Sequence, residues 1–168
     1  MNKIFLRPWH RDDAAALAVI ANNVHIWNNV RDNLPLPYTI NDAKSWIQFC
    51  KAQNPIVNFA IIYEGAVAGS IGCVLQKDVY RKNVEIGYFL DEKLWGHGIA
   101  TEAVKILLSY IEINLDAIRI YAEVFAHNKA SMKVLQKNGF VLESIRRNAA
   151  IKNNIISDDY VWVKLLPC

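Results

Sequence analysis

Val84-Glu85-Ile86-Gly87-Tyr88-Phe89-Leu90-Asp91-Glu92-Lys93-Leu94-Trp95-Gly96-His97-Gly98-Ile99-Ala100-Thr101 is the stretch whose reading decides the fold. Its first half, Val84 to Leu90, sets Glu85, Gly87 and Phe89 against Ile86, Tyr88 and Leu90, the period-two pattern of a strand. Two spaced glycines follow. From Gly98 to Ile113 the apolar residues Ala100, Ala103, Val104, Leu107, Leu108 and Ile111 then recur at helical spacing, leaving Lys105 and Glu112 for solvent. A strand that ends in a glycine turn and opens a long helix can bind an anion. With no side chains at Gly96 and Gly98, backbone N–H groups can approach phosphate oxygens, and the first helical turn adds positive potential. The alternative is that the glycines only permit a tight start to the helix. A Walker loop is disfavoured because its terminal Gly-Lys-Ser/Thr is missing, and a dinucleotide fingerprint because Thr101 stands where its third glycine belongs.

Upstream, Ile4 to Pro8 reads as a strand, and Asp12 and Asp13 can cap a helix through Ala15, Leu17, Ala18, Ile20 and Ala21. Trp27 to Tyr38 mixes aromatics, asparagines and two prolines, which predicts a broken helix or a loop. Thr39 or Asn41 can cap a helix reaching about Lys51, with Ala43, Trp46, Ile47 and Cys50 on one side. The apolar runs Val57 to Tyr63 and Val67 to Leu75 flank Glu64-Gly65-Ala66, a hairpin signal in which Gly65 supplies a positive φ. With Val84 to Leu90 they form an antiparallel meander. Downstream come a strand at Ile118 to Val124, a helix from Asn128 to Asn138 ended by Gly139, and strands at Phe140 to Ile145 and Tyr160 to Leu166. The fold class is α/β, a mixed and mostly antiparallel central sheet flanked by helices.

At 168 residues the chain suits a single compact domain, residues 1–168. It carries 53% hydrophobic and 21% charged residues, and charge or glycine breaks every long apolar run, which argues against both a disordered tail and a membrane span. A formal net charge of +3, spread rather than concentrated, gives no case for nucleic-acid binding. Cys50, Cys73 and Cys168 make no CxxC and leave one unpaired, so a reduced, cytoplasmic protein is the simpler expectation. The opening Met1-Asn2-Lys3-Ile4-Phe5-Leu6-Arg7 turns polar too soon for a signal peptide.

Lys93-Leu94-Trp95-Gly96-His97-Gly98-Ile99-Ala100 resembles the acyl-coenzyme A pyrophosphate loop of the GNAT N-acetyltransferases, in which a basic or amide residue precedes two spaced glycines. Lys93 stands where Gln or Arg is commoner. Val84-Glu85-Ile86-Gly87-Tyr88, Thr101-Glu102-Ala103, His127-Asn128-Lys129-Ala130-Ser131 and Lys137-Asn138-Gly139-Phe140 resemble the branch that includes the ribosomal-protein N-terminal alanine and serine acetyltransferases. So does Leu6-Arg7-Pro8 followed by Asp12-Asp13-Ala14. The resemblance covers nearly the whole chain. It implies the acyl-CoA N-acyltransferase fold, with the Val84 to Leu90 and Ile118 to Val124 strands splayed around acetyl-coenzyme A (acetyl-CoA). The implied cofactor contacts are Tyr88, Phe89, Leu90, Lys93, Leu94, Trp95, Gly96, His97, Gly98, Ile99, Ala100, Thr101, Asn128 and Ser131. A backbone N–H near Tyr88 to Leu90, freed by a bulge, can polarise the acetyl carbonyl.

The implied reaction moves an acetyl group directly from the thioester to a neutral primary amine through a tetrahedral intermediate, and needs placement more than a covalent nucleophile. By the same analogy Glu85 lies beside the thioester as base or amine-positioning group, or serves recognition only, or is a solvated strand charge. Asn128 and Ser131 share one helix face, where Asn128 can bind the pantetheine amides and Ser131 can donate to the departing thiolate. The plainer reading makes Asn128 an N-cap and Ser131 an ordinary first-turn serine. His10, His25, His97 and His127 lack metal-ligand spacing, so no metal is expected. Trp27, Asn28, Asn29, Arg31, Asp32 and Tyr38 lie where the analogy puts the cover of the acceptor channel, with core packing the alternative for Trp27 and Tyr38. Arg146, Arg147 and Lys152 to Asn154 either border that entrance or form a solvated hairpin. The expected partners are an amine-bearing peptide N-terminus or small molecule, with neither nucleic acid nor membrane, and the protein is a monomer or homodimer. The competing class is a non-catalytic acyl-coenzyme A binding or regulatory domain.

Overall fold

The structure, a computed structural model, describes residues 4–167, so Cys168 lies outside the described residues. The described residues hold seven strands, β1 (Ile4–Arg7), β2 (Asn58–Tyr63), β3 (Ala66–Leu75), β4 (Asn83–Leu90), β5 (Arg119–Phe125), β6 (Val141–Lys152) and β7 (Ile155–Leu165), in the order β1-β2-β3-β4-β5-β7-β6. The chain divides into two compact units, Met1–Gly72 with Tyr88–Ala103, and Cys73–Gly87 with Val104–Cys168.

In the first unit β1 (Ile4–Arg7) pairs antiparallel with β2 (Asn58–Tyr63), and β2 with β3 (Ala66–Leu75). The β2–β3 reversal is a two-residue turn in which both Glu64 (φ 51) and Gly65 (φ 86) are left-handed, as a right-twisted hairpin requires. The sequence signalled only the glycine. Helices α1 (Ala14–Ala21), α2 (Val24–Trp27) and α3 (Ile40–Lys51) intervene between β1 and β2. Thr39 caps α3 reciprocally with Asp42, and Ala43, Ile47 and Cys50, three or four residues apart, are buried. With Trp9, Leu17, Ala21, Tyr38, Ala60 and Ile62 they make the core of this unit, against which Trp46 packs. Each fully buried aliphatic side chain there contributes about 1.5–3 kcal/mol.

Asp12 and Asp13 do not cap α1 as expected. Both lie in a 3-10 turn, Arg11–Asp13, and Asp13 makes no side-chain cap bond to the helix. Its carboxylate instead accepts the His10 backbone N–H at 2.8 Å and both Arg7 Nη groups at 2.7 and 2.8 Å. A bidentate guanidinium outcompetes a single capping N–H for a nearly buried carboxylate.

In the second unit β4 (Asn83–Leu90, as far as Gly87) runs parallel to β5 (Arg119–Phe125). Their ladder extends from Asn83↔Arg119 to Glu85↔Tyr121. On its other side β5 pairs antiparallel with β7 (Ile155–Leu165) up to Phe125↔Asp159. Helix α4 (Ile99–Asn114) buries Val104, Leu107, Leu108 and Ile111, four of the apolar positions read from the sequence. Helix α5 (Lys129–Lys137) is followed by Gly139 at φ 81, the left-handed stop expected there.

The final hairpin is longer than its apolar runs suggested. β6 (Val141–Lys152) and β7 meet at a turn of Asn153 (φ 52) and Asn154 (φ 60). Beyond the apolar runs the strands continue through cross-strand ion pairs, Arg146 to Asp159 and Arg147 to Asp158, to the facing pair Ile151↔Ile156 near the turn. Arg146 and Arg147 are exposed, whereas Lys152, expected with them at the entrance or on a solvated hairpin, is buried at 6%.

Candidate functional site

The glycine turn belongs to the first unit. The end of β4 is fixed against β3 by the Asp91 N–H, which donates to Ala68 O at 2.8 Å. A Cβ added to Gly69 would stand 2.2 Å from Phe89 O and 2.9 Å from Leu90 Cα, so a glycine is required for β3 to lie this close to β4. Leu90 is buried, whereas Tyr88 and Phe89 are half-buried. Asp91 then accepts the Lys93 N–H at 3.1 Å and closes the 3-10 turn Glu92–Leu94, and Trp95 Nε1 donates to Leu90 O at 3.1 Å.

Beyond this anchor the chain turns twice through left-handed glycines, Gly96 at φ 79 and Gly98 at φ 78. A Cβ at either would meet no atom within 4 Å. The glycines therefore serve backbone conformation, not tight packing, and the space above them is clear of protein. The first i→i−4 bond of α4 joins Glu102 N–H to Gly98 O. The N–H groups of Gly98, Ile99 and Ala100 precede it and have no acceptor within the helix. Lys93, Trp95, Gly96, His97 and Gly98 are exposed, Leu94, Ala100 and Thr101 half-buried, and Ile99 buried. Open glycines, a sixteen-residue helix that starts at them and a lysine beside them fit a pyrophosphate in charge and in space.

The segment assigned to the acceptor side also lies in this unit. Asn23 caps α2 by accepting the His25 and Ile26 N–H groups at 2.7 and 3.3 Å, and its Nδ2 donates to Glu92 Oε2 at 2.8 Å. One side chain thus ties the start of the irregular segment to the turn before the glycines, a link that nothing in the sequence signalled. Trp27 Nε1 donates to Leu34 O at 3.0 Å and Asn29 Nδ2 to His25 O at 2.8 Å, so both side chains brace the segment itself. Arg31 and Asp32 are exposed and Asn28 is half-buried. Tyr38 is 6% exposed within the core, as its packing alternative held, and burial, with Asp42 and Cys50 adding to it, pushes its hydroxyl up to about 12.

In the second unit Glu85 is half-buried on β4 directly opposite Tyr121, whose hydroxyl donates to Glu85 Oε2 at 3.4 Å. Arg119 stacks 5.9 Å from the Tyr121 ring centroid and is held by Glu143 through two bonds of 2.6 and 2.5 Å. Tyr121, which the sequence reading did not single out, is thus a neighbour of that carboxylate. Only the parallel register brings these residues together, although the alternation of Arg119, Tyr121 and Glu123 marked a shared polar face. Gly87, on the same face of β4 as Glu85, has open space where a Cβ would stand. Asn128 caps α5, its Oδ1 accepting the Ser131 N–H at 3.1 Å. Ser131 sits half-buried in the first turn. His127 is exposed, its ring 5.8 Å from that of Phe125. Burial pushes the Cys73 thiol up to about 12, as it does Cys50 in the first unit, and leaves both unreactive.

A family model described as acetyltransferase (GNAT) domain matches residues 3–141. The "Probable N-acetyltransferase YjcK" of Bacillus subtilis is 43% identical over 82 residues, 49% of this chain and 45% of that protein. The ribosomal-protein-serine acetyltransferase of Escherichia coli is 29% identical over 85 residues, 51% of this chain and 48% of that protein. The chain thus spans about half the length of these curated relatives. A solved structure of RimL, a ribosomal alpha-N-protein acetyltransferase in complex with coenzyme A, superposes with a TM-score of 0.87 at 20% identity, covering 99% of this chain and 96% of that one. The last likeness is one of fold. Among the described residues no helix is long and apolar enough to cross a membrane. Together with the glycine turn, the family match over most of its length makes this chain a member of the GNAT acetyltransferase family.

Proposed function

We propose that the chain is one acetyltransferase domain that moves an acetyl group from acetyl-CoA to a primary amine, either a protein N-terminus or a small molecule. The observation that carries this is the pair of open, left-handed glycines at the start of α4. Acetyl-CoA, when bound, supplies the activated thioester. The N–H groups from Gly96 to Ala100 hold its pyrophosphate oxygens, with Lys93 adding positive charge. The Asn128 Nδ2 amide binds the pantetheine arm, and the Ser131 hydroxyl donates a proton or hydrogen bond to the leaving sulfur. A backbone N–H among Tyr88, Phe89 and Leu90 polarises the acetyl carbonyl.

Glu85 takes the proton of the attacking amine, directly or through one water, and Tyr121 keeps the accepting oxygen in place. Trp27, Asn29 and Arg31 contribute the acceptor wall. Incubation with acetyl-CoA and a panel of amines and short peptides, read by thiol release and by mass, tests the reading. Amine-dependent release with acetylated product supports it. Tight binding of acetyl-CoA without release for any amine would replace it with a non-catalytic binding domain.

A further inference from the structure

Arg11, Lys44, Ile47 and Gln48 line a cleft of about 320 Å³ between the 3-10 turn Arg11–Asp13 and α3, within the first unit. Lys44 and Gln48, one helical turn apart, share a face of α3, and Arg11 meets them from the turn. Ile47, 2% exposed, forms the floor, and the walls are mostly carbon, supplied by the stems of the three long polar side chains. Arg11, Lys44 and Gln48 are themselves exposed. Among the described residues neither the Arg11 nor the Lys44 side chain has an ion-pair or hydrogen-bond partner. The carboxylates nearby in the chain are placed elsewhere. Asp13 is taken by Arg7 and the His10 N–H, and Asp42 by the Thr39 cap. Asp12 is exposed and lies outside the lining. Lys51, exposed one turn beyond Ile47, adds a further positive charge to this side of α3, so the balance at the cleft is positive.

We infer that this cleft binds a small amphiphilic carboxylate, at a place apart from the proposed acceptor wall. A guanidinium takes both oxygens of a carboxylate in a planar fork, and an ammonium adds a point charge. The carbon walls suit a short apolar body behind that headgroup. Ligand sites run from about 300 to 1,000 Å³, so a cleft of this volume takes a molecule of few heavy atoms. Its place follows from the helix pair. Helices α1 and α3 share one core, and where the irregular segment joins them the Tyr38 N–H donates to Asn22 Oδ1 at 3.0 Å. Asn22 follows α1 and Tyr38 precedes α3, so the two helices run antiparallel. Arg11 and Gln48 lie at the opposite end of the pair, roughly 12 Å away along the eight residues of α1. A carboxylate held there joins the turn before α1 to α3 and stabilises the folded chain by mass action. The site stands whether or not the chain transfers acetyl groups.

The test is calorimetric titration of the full chain with hexanoate, and with hexanol, acetate and inorganic phosphate as probes that lack the charge, the apolar body, or both body and carboxylate. The expected result is one-to-one binding of hexanoate at least tenfold tighter than of any other probe. That binding weakens at least tenfold in Arg11→Gln and in Lys44→Gln, and is lost in Lys44→Glu. Hexanoate should also raise the Tm of wild type and leave that of the double variant Arg11→Gln/Lys44→Gln unmoved. Both side chains are exposed, and near-UV circular dichroism checks that each variant is folded. Hexanol or phosphate binding as tightly as hexanoate, or hexanoate binding that survives the double substitution, overturns the site. The glycine turn is a second anion-binding feature of this unit, so the hexanoate titration is repeated with coenzyme A in excess. Unchanged affinity supports the cleft, whereas displacement of hexanoate puts it at the glycine turn and overturns the cleft.

Discussion

The glycine turn of the first unit and the polar face of the second solve different problems with different parts of the chain. The turn presents backbone: its side chains are absent at Gly96 and Gly98, and its shape is set by φ angles of 79 and 78. The face presents side chains: Glu85, Tyr121, Arg119 and Glu143 form a connected series that the strand register brings together. A backbone device is written locally, since only glycine relieves a left-handed residue, and so it is visible in a short window. A side-chain series assembled across strands has no such local signature. The account assigns affinity for acetyl-CoA to the first region and turnover to the second, and each assignment can be broken by substitution.

The largest expected effect is in the second region. Glu85→Gln lowers turnover about 10²- to 10⁴-fold, the range for loss of a positioned general base, measured as thiol release at saturating acetyl-CoA. Next comes a control outside both regions. Asp13→Asn removes charge-assisted bonds from Arg7 and costs about 1.5–3 kcal/mol of stability in urea unfolding, with turnover unchanged. Burial alone would raise the Asp13 carboxyl, but Arg7 and the His10 N–H outweigh it and hold the group below its ordinary value. Its stabilisation is therefore complete above the unfolded value of about pH 3.9 and is lost as pH falls through the lower folded value. The variant should lack that acid step.

In the first region Gly98→Val forces a β-branched residue to positive φ, at about 1–2 kcal/mol of strain, and fills the clear space above the turn. Acetyl-CoA affinity should fall roughly tenfold or more in a calorimetric titration, with turnover at saturation little changed. The smallest effect sharpens the second region. Tyr121→Phe removes one hydrogen bond to Glu85 and should cost turnover roughly two- to tenfold, about 0.5–1.5 kcal/mol, without moving affinity. An equal loss of affinity there would place Tyr121 with the binding machinery instead.

The element order, α3 with its Thr39 cap, α5 with its Gly139 stop and the turn before α4 were all legible, because periodicity and caps act within a few residues. What was not legible depends on neighbours distant in sequence. Gly69 looked like one glycine in an apolar run, and only the approach of Phe89 O explains it. Asp13 looked like a cap until Arg7 proved the stronger partner. Asp159 fell outside the expected strand because that strand was read from its apolar run at Tyr160, whereas ion pairs extend it. Asn128 was open to two readings, and its Oδ1 takes the cap. The family resemblance supplied the proposed roles of Glu85 and Ser131, and the register beside Glu85 adds Tyr121 as its neighbour.

The division of labour between the two regions is tested most directly by titrating acetyl-CoA into the Glu85→Gln protein and measuring thiol release in the same preparation. The account predicts an affinity within about twofold of wild type, a difference under about 0.5 kcal/mol, beside a collapsed turnover. Unchanged turnover, or a loss of affinity that matches the loss of turnover, would contradict it.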